Sequence, residues 1–277
     1  MKRLLIILMV FTLFTSVCTF TGCKKDNCTE GLVYCISSDG TYAEVVAYKG
    51  TDENVVIADK YNGKPVQRIT QGAFSYHSYI KNIELPDTII SIDSDAFVGC
   101  DSLIYTTQDN LKYLGNMNNP YLYLAKAMEK GDLELIDNKC KIIGSSAFAN
   151  NKELISVTIP ENVTIIDIKA FSGCANLKSV EISNKVSTIG NMAFSRCTSL
   201  TSVAISKSVT SIGSFAFLSC RKLTSIVIPN SVTSIGHYAF DDCSNLTIYC
   251  EASSQLSGWN SSWNNYDCPV VWGYKGN

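Results

Sequence analysis

Residues 223–243 read Leu223-Thr-Ser-Ile-Val-Ile-Pro-Asn-Ser-Val-Thr-Ser-Ile-Gly-His-Tyr-Ala-Phe-Asp-Asp-Cys243. The first part alternates apolar and polar residues with period two, and Val232 to Ile235 repeats an extended, β-branched pattern, so we predict two short strands. Pro229 and Gly236 mark turns after them. The stretch therefore predicts one flat coil with an inward layer formed by Leu223, Ile226, Ile228, Val232, Ile235, Ala239, Phe240 and Cys243.

The same pattern recurs along most of the chain, and an Ala-Phe pair marks its register. Five of the six intervals between successive motif phenylalanines are 23 residues, whereas the interval from Phe97 to Phe148 is 51. A single coil leaves both rims of its layer open to water, so coils must stack. We predict a mainly β, right-handed solenoid of about eight coils with parallel strands about 4.8 Å apart. The motif residues, called the Phe ladder below, are Phe74, Phe97, Phe148, Phe171, Phe194, Phe217 and Phe240.

Cysteines form a second column, three residues after the motif phenylalanines, and His77 and Asn151 stand there in two coils. Equivalent Cβ atoms of adjacent coils lie about 4.8 Å apart, beyond the 3.5–4.5 Å that a disulfide needs. We therefore predict free core thiols rather than pairs. Members of this Cys ladder are Cys100, Cys174, Cys197, Cys220 and Cys243. The sequence leaves open whether Cys250 and Cys268 form a disulfide, and it assigns no role to Cys28, Cys35 and Cys140.

The first 22 residues have the pattern of a secretory leader. Met1–Arg3 carry positive charge, and Leu4–Phe14 form an apolar run of eleven residues. That run is too short to span a bilayer comfortably. We expect residues 1–22 to be a signal peptide rather than part of the fold.

Phe20-Thr-Gly-Cys23 resembles a bacterial lipobox, in which the cysteine becomes the acylated mature N-terminus. Two or more acyl chains on Cys23 would anchor the protein stably to a membrane, whereas ordinary cleavage would release it. Lys24, Lys25 and Asp26 resemble the short export tag that sends lipoproteins of Bacteroides-like bacteria to the outer face of the outer membrane.

The consensus Leu-Thr-Ser-Ile-x-Ile-Pro-x-Ser-Val-Thr-Ser-Ile-Gly-x-x-Ala-Phe-x-x-Cys resembles the BspA-like leucine-rich repeat of bacterial and protist surface proteins, over about residues 32–275. Val33–Ile36, the Ser38–Gly40 turn and Tyr42–Val45 resemble that family's N-terminal cap, and an Asp-Gly turn between alternating strands independently predicts a hairpin. The resemblance implies a non-enzymatic surface protein that binds host extracellular proteins or neighbouring cells.

These patterns predict five regions of the chain. They are a signal peptide (1–22), a lipidated tether (23–31), an N-terminal cap (32–65), leucine-rich repeats (66–250, with an expanded coil at 106–135) and a C-terminal cap (251–277).

Composition excludes several functional classes. Only 17% of the 277 residues are charged and 46% are hydrophobic, which is not the balance of a disordered chain. A formal net charge of -2 gives no basic surface for nucleic acid. There is no phosphate loop, His237 is expected in a solvated turn, and Cys243 is expected in the core, so no catalytic, metal or cofactor site is predicted. Asp137 and Asp167 are interpreted as carboxylates on solvated turns.

The outward positions of one strand row are the first candidate binding surface. Small hydroxyls dominate the row, giving a flat sheet on which a partner's backbone or a glycan could lie, although a plain soluble exterior has the same pattern. The candidate residues are Asn82, Glu84, Ser156, Thr158, Ser179, Glu181, Ser202 and Ser225, and Ala204 and Val227 belong to the same row.

The expanded coil and the tail supply aromatic candidates. Leu111–Leu114 and Tyr121–Leu124 flank Gly115–Pro120, which predicts a hairpin leaving the regular wall. Purely structural tyrosines explain the expanded coil equally well, and a cap over the open layer of the last coil explains the tail tryptophans better than sugar stacking does. The alternative function is a glycan-binding accessory protein of a polysaccharide-uptake system, whose contacts would be Tyr113, Tyr121, Tyr123, Trp259 and Trp263.

Overall fold

The computed structural model describes residues 28–93, 95–128 and 136–276, and within them the regular structure is entirely β. The strands build a solenoid of about ten turns, which confirms the predicted leucine-rich-repeat stack. The strands are β1 (Leu32–Ile36), β2 (Ala43–Tyr48), β3 (Asn54–Val56), β4 (Lys60–Tyr61), β5 (Lys64–Ile69), β6 (Asn82–Glu84), β7 (Ser91–Ile92), β8 (Thr106–Gln108), β9 (Leu111–Leu114), β10 (Tyr123–Ala127), β11 (Ile142–Ile143), β12 (Ser156–Thr158), β13 (Ile165–Ile166), β14 (Ser179–Glu181), β15 (Thr188–Ile189), β16 (Ser202–Ala204), β17 (Ser211–Ile212), β18 (Ser225–Ile228), β19 (Ser234–Ile235), β20 (Thr247–Cys250) and β21 (Val270–Trp272).

Two strand rows form the walls of the stack. An eight-stranded sheet, called the long sheet, has the order β19-β17-β15-β13-β11-β10-β9-β8. The opposite row, called the front face, comprises β12-β14-β16 and β18-β20-β21, and β16 lies beside β18. In both rows equivalent residues of neighbouring coils pair in parallel register, as Ile189 does with Ile212. The predicted inward layer of residues 223–243 is buried at all eight positions.

A third wall, made of turns, carries the Phe ladder. The rings of Phe171 and Phe194 stack at 5.2 Å between centroids with an interplanar angle of 2°, and Phe194 and Phe217 stack at 5.4 Å. Phe97, at the edge of the expanded interval, is only half-buried. Each coil thus covers the ring of the coil before it, which is the contact that an isolated coil cannot supply.

The backbone of this turn wall has left-handed residues at two recurring positions. Lys169 has a φ of 57° and Gly173 a φ of 75°, and the same two positions are left-handed in the following coils. In this segment every second N–H points at the next coil: Lys169, Phe171 and Gly173 donate to the carbonyls of residues 191, 193 and 195 at 2.8–2.9 Å. Non-glycine side chains at these left-handed positions were not anticipated, because the inter-coil hydrogen bonds that stabilise them are absent in a single repeat.

The thiols of the Cys ladder each donate a hydrogen bond to the carbonyl of the motif Phe one coil earlier. The Sγ–O distance is 3.0 Å from Cys174 to Phe148 and 3.2 Å from Cys220 to Phe194. Burial raises the pKa of Cys174 and Cys243 to about 12, so these thiols stay protonated and do not act as nucleophiles.

The tail adds one more member to this ladder. Cys268 Sγ lies 3.9 Å from the carbonyl oxygen of Phe240, the relation that every ladder cysteine has with the preceding coil. Cys250 and Cys268 are both free and buried, so the disulfide that the sequence left open between them does not form. Cys28 and Cys35, which the sequence left unassigned, are disulfide-bonded.

An antiparallel hairpin of β1 and β2 opens the described chain. Its turn is closed by the Asp39 carboxylate, which accepts hydrogen bonds from Ser37 Oγ at 2.7 Å, Thr41 Oγ1 at 2.7 Å and Thr41 N at 3.0 Å. These bonds lower the pKa of Asp39 to about 2. The carboxylate therefore keeps the turn closed at any physiological pH.

The expanded interval also forms a hairpin, but it does not leave the wall as the sequence predicted. β9 and β10 pair antiparallel, and β10 continues in parallel onto β11, with Tyr123 opposite Ile142. The extra strands are thus inserted into the long sheet. Backbone pairing with the following coil satisfies polar groups that a projecting hairpin would leave at an edge.

The inserted hairpin divides the core into two hydrophobic clusters. On β10 and β11, Leu124 and Ile143 belong to the cluster of residues 111–268, whereas Tyr123 and Ile142 belong to the cluster of residues 32–142. Successive residues of a strand point to opposite faces, so at this place both faces of the long sheet are buried. We call the contact between the two clusters the seam.

Candidate binding surface

The front face is built by strand alternation. In β12, β14 and β16 the central Val157, Val180 and Val203 are buried, while the residues on either side point outward. Parallel register then aligns equivalent residues into columns that run along the stack. The first column is a row of hydroxyls, namely Ser156, Ser179, Ser202, Ser225 and Thr247.

The second column changes character along the stack. It is polar or charged at Thr158 and Glu181, and it becomes apolar from Ala204 onward. β20 and β21 extend it with Tyr249 and Val271, and Val271 is 41% exposed. This apolar continuation was missed because the tail was interpreted as a cap; the Ile248-Tyr-Cys250 and Val270-Val-Trp272 runs were the available signal.

A shallow groove of about 500 Å³ lies between residues of the two columns. It crosses β14, β16 and β18, and its wall includes Glu181, Ile182, Ala204 and Val227 together with the serine hydroxyls. Binding sites for polypeptides and small organic ligands typically combine an apolar floor with a few polar groups, and this groove has that composition.

Glu181 is the charged group of this groove. Thr158 Oγ1 donates a hydrogen bond to its carboxylate at 3.3 Å. Within the described residues Glu181 makes no ion pair, and its side chain is exposed. The carboxylate is therefore available to a cationic group of a partner.

Asn82 and Glu84 belong to a separate sheet. They lie on β6, which pairs with β3, and Asn82 Nδ2 donates to Asn54 Oδ1 at 2.5 Å. The inserted hairpin separates β6 from β12 along the chain. The structure thus brings Ser156, Thr158, Ser179, Glu181, Ser202 and Ser225 together on the front face, and it places Asn82 and Glu84 on another sheet.

The tyrosines of the hairpin are structural. Tyr113 and Tyr123 are buried, and Tyr121 is half-buried with its ring edge-on to Tyr113 at 5.3 Å. The Tyr113 hydroxyl accepts a hydrogen bond from Asp137 N at 3.1 Å. Tyr113 and Tyr123 thus close the core at the inserted strands, whereas Tyr121 keeps part of its ring accessible.

Two tryptophans of the tail cover the last coil. Trp259 and Trp263 are buried, and Trp263 packs edge-on against Phe240 at 5.9 Å. Trp259 Nε1 donates to the carbonyl of Val232 at 2.9 Å. Trp272, by contrast, is 37% exposed at the end of the front face.

Both histidines make contacts with residues of the turn wall. His237 is exposed, and its Nδ1 lies 3.0 Å from Ser214 Oγ, while Cys243 is buried in the ladder. His77 Nδ1 lies 3.1 Å from the carbonyl oxygen of Phe74.

The lipid-attachment candidate Cys23 and the export-tag candidates Lys24, Lys25 and Asp26 lie outside the described residues. In the part of the chain that is described, no helix has the length and apolar character needed to cross a bilayer.

Comparison with known proteins identifies the repeats. Residues 54–118 and 131–247 match the family described as the BspA type leucine rich repeat region, in six copies. No curated protein matches the sequence.

Solved structures resemble the fold. A leucine rich cell surface protein from Faecalibacterium prausnitzii A2-165 is 19% identical, with 92% of this chain and 100% of that chain covered and a TM-score of 0.50. A leucine-rich repeat protein from Bacteroides ovatus ATCC 8483 is 24% identical, with 90% and 70% covered and a TM-score of 0.41. The pneumococcal vaccine antigen PcpA is 19% identical, with 71% and 51% covered and a TM-score of 0.49.

Proposed function

Since the chain belongs to the BspA-type leucine-rich-repeat family, whose members are typically cell-surface proteins with a repeat-based protein-binding role, we propose that it binds an extracellular protein through the front face. The partner would be a host matrix protein or a protein on another cell. The binding is non-enzymatic, in keeping with a family of generally non-catalytic repeat proteins.

The groove on the front face is the observation that carries this proposal. Its apolar floor at Ala204 and Val227 gains free energy when a partner removes it from water, at roughly 25 cal/mol per Å². The serine hydroxyls can accept and donate hydrogen bonds to a partner's backbone, and Glu181 can pair with a basic side chain. A rigid stack holds these groups in place before binding, which lowers the entropy cost of association.

A charge placed on the groove floor is expected to weaken binding at least tenfold. Val227→Asp would bury a carboxylate beneath the partner, which costs more than about 1.4 kcal/mol, the equivalent of one decade in Kd. The measurement is surface plasmon resonance of the protein lacking residues 1–23 over an immobilised panel of extracellular matrix proteins. The matched control is Thr233→Asp, which adds the same charge at an exposed position just before β19 of the long sheet.

Equal affinity of the Val227→Asp and Thr233→Asp variants for a captured matrix protein would contradict binding through the front face. A glycan array tested with the same protein would distinguish the alternative function. Binding to glycans but to no matrix protein would contradict a protein partner.

We further propose that Cys23 carries the lipid that holds the protein on the outer membrane, with Lys24, Lys25 and Asp26 directing it to the outer face. The lipobox-like Phe20-Thr-Gly-Cys23 supports this assignment. Cys23→Ala removes the sulfur to which the lipid would be joined, so the protein is expected to move from the membrane fraction to the soluble fraction. Fractionation and immunoblotting measure it, with Cys18→Ala as control, and membrane retention of the Cys23→Ala variant would contradict the anchor.

A further inference from the structure

Asp167 occupies a position of the repeat that is glycine in the neighbouring coils, whereas Thr70 and Asp93 stand there in the first two coils. Equivalent residues in the neighbouring coils are Gly144, Gly190, Gly213 and Gly236. The prediction that Asp167 lies on a solvated turn is wrong, because the residue is only 7% exposed. It follows β13 on the side of Ile165, which packs against the cluster of residues 32–142, so its carboxylate lies at the seam.

Only one of the two oxygens of the Asp167 carboxylate has a hydrogen-bond partner at the seam. Oδ1 accepts a hydrogen bond from Ile168 N at 2.7 Å, whereas Oδ2 is buried without a partner. A buried polar atom in this state costs free energy, and the cost is much greater for a charged oxygen than for a protonated one.

The groups that face Asp167 across the seam are charged or titratable. Arg68 on β5 donates to Asp93 at 3.1 and 2.9 Å and lies 3.4 Å from Glu44 on β2. Asp93, which follows β7, and Arg68 both act on the Asp167 carboxyl, and β10 contributes the buried Tyr123 next to it. The next coil brings Gly190, which has no side chain. Arg68 is already engaged by two carboxylates, and its opposing influence on the Asp167 pKa is smaller than that of burial.

We propose that Asp167 makes the seam a proton-dependent joint, which is tight when Asp167 is protonated and loosened when it ionises opposite Asp93. The two parts of the stack would then pack against each other more firmly in mildly acidic surroundings than at neutral pH.

The direction of this pH dependence follows from the environment of the Asp167 carboxyl group. Burial, and to a lesser extent Asp93, raise the pKa of Asp167 to about 6, against 3.8 for an unperturbed aspartate. The folded protein therefore holds a proton that the unfolded chain has released between these two values. Stability contributed by this proton is complete below pH 3.8 and is lost as the pH rises through about 6.

The test is urea denaturation of the full chain in detergent, followed by circular dichroism at pH 4.5 and pH 7.5. With a pKa of 3.8 in the unfolded chain and about 6 in the folded protein, ionisation is expected to raise the unfolding equilibrium constant by about 25-fold between pH 4.5 and pH 7.5. Asp167→Asn and Asp167→Gly are expected to remove most of this rise, since neither residue ionises. Asp101→Asn, at an exposed position, should leave it intact.

Two variants are used so that one still gives a result if the other folds poorly. Asp167→Gly introduces the residue that the neighbouring coils have at this position, so this variant is compatible with the stack. A pH dependence equal to that of the wild type in the variant that folds would overturn the proposal. Hydrogen exchange, corrected for intrinsic rates, then locates the change: protection should fall at pH 7.5 in β10 and β11 and not in β17 and β19. A loss spread evenly over all four strands would overturn the assignment to the seam.

Discussion

Replacement of Phe194 by Ala is expected to lower the free energy of unfolding by about 3–5 kcal/mol. Its ring is fully buried and stacks between those of Phe171 and Phe217, at 5.2 and 5.4 Å. Removing it leaves a cavity between two coils that share the same flat geometry and cannot close around it. Urea denaturation followed by circular dichroism measures the loss.

Two comparisons separate ring stacking from general damage. Lys207→Ala changes an exposed turn residue and should alter stability by less than about 0.5 kcal/mol. Phe97→Ala removes the same ring from a half-buried position at the interrupted end of the ladder, and its cost should be smaller. Equal losses for Phe97→Ala and Phe194→Ala would show that stacking within the ladder is not the cause.

Replacement of Gly213 by Ala is expected to destabilise the stack by about 1–3 kcal/mol, and Gly213→Val by more. A Cβ atom at this position would lie 2.5 Å from Asn191 N and 2.6 Å from the carbonyl carbon of Gly190. Both contacts are with backbone of the preceding coil, so the coils would have to separate. The hydrogen bond from Gly213 N to the carbonyl of Ile189, at 2.8 Å, would lengthen.

Gly40 provides the contrasting case. It has a φ of 71°, and a Cβ atom added there meets nothing within 4 Å. Gly40→Ala should therefore cost only the strain of a left-handed backbone, about 1–2 kcal/mol, and it should not worsen with a larger side chain. If the loss at Gly213 also fails to grow from Ala to Val in thermal denaturation, the close approach of coils is not what requires glycine there.

The wall and core positions were predictable because each repeat carries the same short-range information. Period-two alternation around Val180 and Val203 sets which side chains turn inward, and the 23-residue register sets which of them stack. The hydroxyl column of the front face follows from the same alternation. Its apolar continuation through Tyr249 and Val271 does not, since it depends on the tail pairing as two further strands of the same sheet.

For the irregular parts of the chain, the sequence predicts the type of element but not its position in the fold. Gly115–Pro120 between two alternating segments predicts a hairpin, but its place within the long sheet depends on the backbone partners that β11 offers to β10. Cys268 has no recognisable repeat around it, yet it continues the Cys ladder because the tail folds back over Phe240. Asp167 resembles any polar turn residue until the cluster of residues 32–142 covers it.

The sequence by itself determined the repeating layer, its period, its inward side chains and its relation to a family, because these depend on contacts between identical neighbours that every repeat encodes. Only the tertiary structure decided where the repetition is broken: which sheet the hairpin joins, how the tail caps the stack, and that Tyr123 and Asp167 are buried at the seam. The physical reason is that these positions are buried by residues far apart in the chain and different from themselves, so no local pattern specifies their surroundings.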